Sequence, residues 1–64
     1  MVKINGDEIN IAGRTVAQFL SESGFDIRRV AVELNGDILP KTQYESTVLQ
    51  DGDSVEIVSF VGGG

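Results

Sequence analysis

The residues with the widest chemical scope in this chain are its last three, Gly62-Gly63-Gly64. They have no side chains with which to pack a core, and they leave the α-carboxylate of Gly64 sterically open. A carboxylate is a poor acyl donor, because its charge repels nucleophiles and oxide is a bad leaving group. Converted to a mixed anhydride, it becomes an acylating centre. Glycine at these positions has a steric reason, since a tail without Cβ atoms can enter a narrow tunnel in any backbone conformation. Fully extended, three residues reach roughly 10 Å. A frayed terminus is the competing explanation of a glycine run. Here Ser54-Val55-Glu56-Ile57-Val58-Ser59-Phe60 alternates as a strand and runs into the tail without a linker, which argues for a held terminus.

Other chemistry is poorly supported. There are no cysteines and no histidines, so disulfides, thiolate metal sites and the usual neutral-pH acid–base group are all missing. Ten acidic residues are present without a nucleophile–base pair, and 64 residues offer too little mass to enclose a pocket. The expectation is a protein that is not an enzyme. Asp51-Gly52-Asp53 has an acidic spacing, but a calcium loop needs further oxygen ligands at fixed later positions. It reads as a turn, with no metal. No glycine-rich loop precedes a helix and a lysine, so no phosphate cradle is expected. The formal net charge of −5 argues against nucleic acid and against an anionic membrane surface. No apolar run approaches ~18 residues and no leader pattern opens the chain, so a soluble cytoplasmic protein is expected.

A chain of this length buries only about 60% of its unfolded surface, so its elements must pack efficiently. Val2-Lys3-Ile4-Asn5 and Glu8-Ile9-Asn10-Ile11 alternate apolar and polar residues around Asn5-Gly6, the strongest short hairpin signal. Thr15 and Gln18 form a capping box, and Val16, Phe19 and Leu20 share one helix face. Gly24 ends the helix, with Phe25 placed to fold back on Leu20. Arg28-Arg29, the only adjacent basic pair, reads as a solvated strand entry or as a contact for an acidic partner or phosphate. Val30-Ala31-Val32-Glu33-Leu34 is the third strand, followed by a second Asn-Gly turn and a short Ile38-Leu39 strand that Pro40 cuts off. Residues 41–49 show no clean period, and Tyr44, Val48 and Leu49 are expected to pin them to the core. On the last strand Val55 and Ile57 share one face, while Glu56, Val58 and Phe60 share the other. The prediction is an α+β fold with a mixed sheet gripping one helix. Its outer face is under-protected at Val58 and Phe60, with Phe60 either capping the core edge or forming an interface.

The element order, the Gln50-Asp51-Gly52-Asp53 turn and the ending Ile57-Val58-Ser59-Phe60-Val61-Gly62-Gly63-Gly64 resemble the sulfur-carrier family of thiamine thiazole synthesis (ThiS) across the whole chain. The resemblance implies a β-grasp, ubiquitin-like fold, with a domain at 1–61 and a flexible tail at 62–64. It implies that the Gly64 carboxylate is adenylated by an E1-like, ThiF-type enzyme that supplies ATP and Mg²⁺, so the chain itself binds no cofactor. Sulfur from cysteine, delivered through a desulfurase, then replaces AMP to leave a thiocarboxylate. A ThiG-type thiazole synthase accepts that sulfur. Gly62 and Gly63 would thread the partner's channel, while Val58, Phe60 and Val61 would contact its surface. The absence of cysteine fits, because a sulfur carrier without a thiol must hold sulfur on its carboxylate. Two other readings share the glycine ending: a carrier like the small subunit of molybdopterin synthase, and a ubiquitin-like binding or conjugation module.

Overall fold

Two Asn-Gly turns organise the strands. The computed structural model describes residues 1–60. Asn5 and Gly6 have φ of 50° and 91°, and Asn35 and Gly36 have φ of 52° and 89°. Positive φ at both central residues is what a type I′ turn requires, and its twist matches that of the flanking strands. The first turn joins β1 (Val2–Ile4) to β2 (Asp7–Ile9), with Ile4 opposite Asp7. The second joins β3 (Val30–Leu34) to β4 (Asp37–Leu39), with Leu34 opposite Asp37. β5 (Ser54–Ser59) lies between the two hairpins, parallel to β1 and antiparallel to β3. The sheet order is β2-β1-β5-β3-β4, so the expected mixed sheet is present.

Each asparagine does more than turn the chain. Asn5 Oδ1 accepts from the Ile57 amide at 2.7 Å, and its Nδ2 donates to the Ile57 carbonyl at 3.2 Å. The side-chain amide thereby continues the β1–β5 pairing past the end of β1. On the opposite flank, Asn35 Oδ1 accepts from the Ser54 amide at 2.9 Å, and the Asn35 amide donates to the Ser54 carbonyl at 2.7 Å. β5 is therefore gripped from both sides.

A single helix, α1 (Val16–Glu22), packs on one face of the sheet and buries Val16, Phe19 and Leu20. Its capping box is formed: Gln18 N–H donates to Thr15 Oγ1 at 3.1 Å, and Thr15 N–H donates to Gln18 Oε1 at 2.9 Å. At the other end Phe25 N–H reaches the Leu20 carbonyl and Gly24 N–H the Ser21 carbonyl, the paired bonds of a Schellman ending. Opposite the helix, Val2, Ile4, Val30, Val32, Val55 and Ile57 close the core.

Two expectations need adjusting. The second strand is Asp7–Ile9 and does not extend to Ile11; Ile11 N–H turns back to the Ile9 carbonyl at 3.1 Å, which ends the ladder. Residues 41–49 hold one 3₁₀ turn at Lys41–Gln43, and Tyr44 and Leu49 are buried as expected. Val48, however, is 47% exposed and does not pin the segment. Backbone bonds do much of that work, because the helix entry has unpaired amides. Val16 N–H donates to the Thr47 carbonyl and Ala17 N–H to the Tyr44 carbonyl, both at 2.9 Å. Such a segment needs no hydrophobic period. Burial pushes the Tyr44 phenol above its ordinary pKa, against a smaller opposing effect of the Val32 amide.

The substitution Asn5→Asp tests the grip on β5. It keeps an acceptor for the Ile57 amide but sets a second acceptor against the Ile57 carbonyl. Loss of that donor is expected to destabilise the fold by about 1–3 kcal/mol, measured as a lowered urea midpoint at unchanged m-value.

Candidate functional site

β5 alternates faces, as its period of two demands. Val55 and Ile57 point into the core, while Glu56 and Val58 lie on the outer face, where no helix among the described residues covers them. Val58 is 55% exposed and Phe60 51% exposed. Phe60 lies outside the buried core, half exposed, at the rim of a groove that core residues Leu39 and Tyr44 also line. It is fixed by its backbone: Phe60 N–H donates to the Arg29 carbonyl at 2.7 Å, one step beyond the Val30–Ser59 pair. Val61, Gly62, Gly63 and Gly64 lie outside the described residues. Their point of attachment is this bonded end of β5.

Two neighbours of the site were not singled out by the sequence reading. Ala31 stands opposite Val58 on β3, and Ile38, opposite Glu33 on β4, is 77% exposed. The available signal for Ile38 was its place in Asp37-Ile38-Leu39: once Leu39 is committed to the core, Ile38 must point outward. Beside them, Phe60, Ala31, Ile38, Pro40 and Lys41 help line an apolar groove of about 300 Å³, with Tyr44 forming part of its wall.

The basic pair sits at the root of the tail. Arg28 and Arg29 end a 3₁₀ turn, Ile27–Arg29, and are exposed. Asp26 caps that turn: Arg28 N–H donates to Asp26 Oδ1 at 3.0 Å, and the Arg28 and Arg29 side chains approach its oxygens at 3.5 and 3.7 Å. The Arg28 amide holds the Asp26 carboxyl below the usual carboxylate range, helped by the two guanidinium groups and opposed by desolvation. Lys41 Nζ donates to the Arg28 carbonyl at 3.0 Å. The arrangement presents an apolar ledge and cations beside the attachment point of a glycine tail. Among the described residues, no group of three or more metal-ligating side chains is gathered, and no helix is long and apolar enough to cross a membrane.

A mixed five-stranded sheet that grips one helix and sends its central strand into a glycine ending defines a β-grasp protein of the ubiquitin-like kind. The family model that matches the chain, over residues 2–64, is that of the ThiS family. The sulfur carrier protein ThiS of Thermus thermophilus is 36% identical over 64 residues, covering 100% of both chains. The crystal structure of the thiamine biosynthesis protein ThiS from Geobacter metallireducens superposes with a TM-score of 0.78 at 34% identity, covering 98% of this chain and 97% of that one. A thiazole synthase of Paramagnetospirillum magneticum is 52% identical over 62 residues, which are 95% of this chain but only 19% of that protein. The chain thus spans about a fifth of the length of that relative. It belongs to the ThiS family.

The Asp26 cap gives a pH prediction with a definite sign. A carboxyl whose folded pKa is depressed contributes stability above its unfolded pKa, and that contribution is lost as pH falls through the folded value. The Arg28 amide resonance should therefore titrate with a midpoint below that of an ordinary aspartate, and Asp26→Asn should abolish the titration. An ordinary aspartate midpoint at Arg28 would contradict the cap.

Proposed function

We propose that this ThiS-family sulfur carrier holds its sulfur as a thiocarboxylate on Gly64 and delivers it to a thiazole synthase of the ThiG type. The observation that carries this reading is the family match over residues 2–64, which takes in the glycine ending together with the whole fold. Two relatives add support for the acceptor. In Paramagnetospirillum magneticum and Magnetococcus marinus, a segment similar to this chain makes up 19% and 20% of a protein named thiazole synthase.

The chemistry divides between the chain and its partners. An E1-like, ThiF-type enzyme binds ATP and Mg²⁺, and a Gly64 carboxylate oxygen attacks the α-phosphorus, releasing pyrophosphate. The product is an acyl-adenylate. A sulfide-equivalent nucleophile, drawn from cysteine through a desulfurase, adds to the acyl carbon and expels AMP. Stabilising the charge that develops on phosphorus and on the acyl oxygen falls to the partner. The chain is thus a substrate of that chemistry and not its catalyst, and it works in the cytoplasm. Its own contribution is mechanical: Gly62 and Gly63 thread the channel while Val58, Phe60 and Val61 meet the surface around it. Ordering a residue costs about 1–2 kcal/mol. Contacts at the exposed Val58 and Phe60 offset that cost for the tail.

Removal of Gly64 is expected to abolish activation by the adenylating enzyme, read as loss of ATP–pyrophosphate exchange, while the circular dichroism spectrum is unchanged. Val58→Asp and Phe60→Asp should leave the fold intact and raise the carrier concentration needed for half-maximal exchange at least tenfold, about 1.4 kcal/mol of docking. Normal exchange by the truncated chain would refute the assignment of Gly64.

A further inference from the structure

The outer sheet face carries a charge order that its register fixes. At the tail end, Arg29 stands beside Phe60, joined through the 2.7 Å backbone bond. In the next row Ala31 is opposite Val58, and in the row after that Glu33 is opposite Glu56. The face therefore runs from a cation and an aromatic ring, through an apolar pair, to two carboxylates, beside which Lys3 and Glu8 stand opposite each other on β1 and β2 and offset one another in charge. Lys41 adds a cation to the first end, and Ile38 adds apolar surface beside Glu33. Arg28, Arg29 and Lys41, three of the five basic side chains in a chain of net charge −5, gather where the tail is attached.

The Glu33–Glu56 pair is costly within the fold. Residues directly opposite on neighbouring strands have Cβ atoms about 4.5–5.5 Å apart, and like charges there are destabilising. Among the described residues, the ion pairs use Asp51, Glu22 and Asp26, so neither Glu33 nor Glu56 is neutralised by a salt bridge. A basic group from outside the chain would relieve this repulsion.

We propose that a partner protein docks on this face in one orientation set by the charge order. Its acidic groups meet Arg29 and Lys41, its apolar surface covers Ala31 and Val58, and a basic side chain enters between Glu33 and Glu56. The proposal rests on the reading above that the outer face of β5 is the docking surface. Turned end for end, the partner would set like charges together at both ends, and its channel would lie away from the attachment point of the tail. The register of charges thus keeps Gly64 aimed at the reaction centre.

A second copy of the chain, laid antiparallel, would also match cations to carboxylates. The three rows across two strand spacings cover only about 14 Å by 10 Å. That is far below the ~800 Å² per partner of a stable interface. A protein that also takes in the tail adds buried surface continuous with the face, whereas a second copy adds only the face.

The test is equilibrium binding of the full chain to the purified ThiF-type adenylating enzyme at low and moderate salt. The double variant Glu33→Gln/Glu56→Gln should bind about tenfold more weakly at low salt, with a shallower salt dependence. Its melting temperature should equal or exceed that of the parent, because an internal repulsion has been removed. Glu45→Gln, a carboxylate outside the face, should bind as the parent does. Unchanged affinity of the double variant overturns the charge order. If Val58→Asp still weakens binding in that case, the docking face itself stands; if it does not, the docking reading fails as well. A parent chain that sediments as a dimer, and that the double variant converts to monomer, would assign the face to a second copy and overturn the proposal.

Discussion

β5 is the constraint on which the rest of the structure depends. It is the middle strand of five, paired parallel to β1 on one side and antiparallel to β3 on the other. Asn5 and Asn35 bind its backbone from opposite flanks, each from within a tight turn. Its inward side chains, Val55 and Ile57, close the core beneath α1, and its outward ones form the exposed ledge. One strand therefore holds the fold, presents the exposed ledge and, under the proposed function, anchors the terminus that reacts. At the tail end, the pairing of Ser59 with Val30 and the bond from Phe60 N–H to the Arg29 carbonyl tie β5 to β3.

Under the proposed function, that placement would let so small a chain serve as the substrate of demanding chemistry. Activation of a carboxylate needs nucleotide, metal and charge stabilisation, all of which a larger enzyme can enclose. The carrier needs a terminus narrow enough to enter and a body rigid enough to be recognised. The proposed docking would use the cations at the tail root and the carboxylates at the far end of the same face to give that body a direction as well as a shape. Asp26 contributes by capping the turn that carries Arg28 and Arg29, so the cations sit on a structured corner.

Most of the fold was legible in the sequence because local signals and the global arrangement agree. The two Asn-Gly turns, the Thr15–Gln18 capping box and the Gly24-Phe25 ending each specify a backbone geometry, and each occurs where it was read. The alternation in β3 and β5 likewise divides core from surface correctly. What could not be read were features that depend on long-range pairing. The grip of Asn5 on Ile57 joins residues 52 positions apart, and turn chemistry alone already accounted for the asparagine. Val48 was misplaced because residues 41–49 are held largely through carbonyls offered to the helix entry, which leave no trace in side-chain type. Ile38, Ala31 and the Glu33–Glu56 opposition required the strand order and register. The glycine ending, which lies outside the described residues, falls within the family match over residues 2–64.

The central claim is that Gly64 carries sulfur, and one measurement addresses it most directly. The chain would be incubated with ATP, Mg²⁺, a sulfide source and its ThiF-type partner, then analysed by intact mass and by fragmentation after trapping with a thiol alkylator. Met1 oxidation gives nearly the same nominal mass, so the change must be localised to the C-terminal fragment. The account predicts replacement of one oxygen by sulfur at Gly64, dependent on ATP and captured by the alkylator. An unmodified terminus, with a partner shown to be active on another carrier, would contradict it.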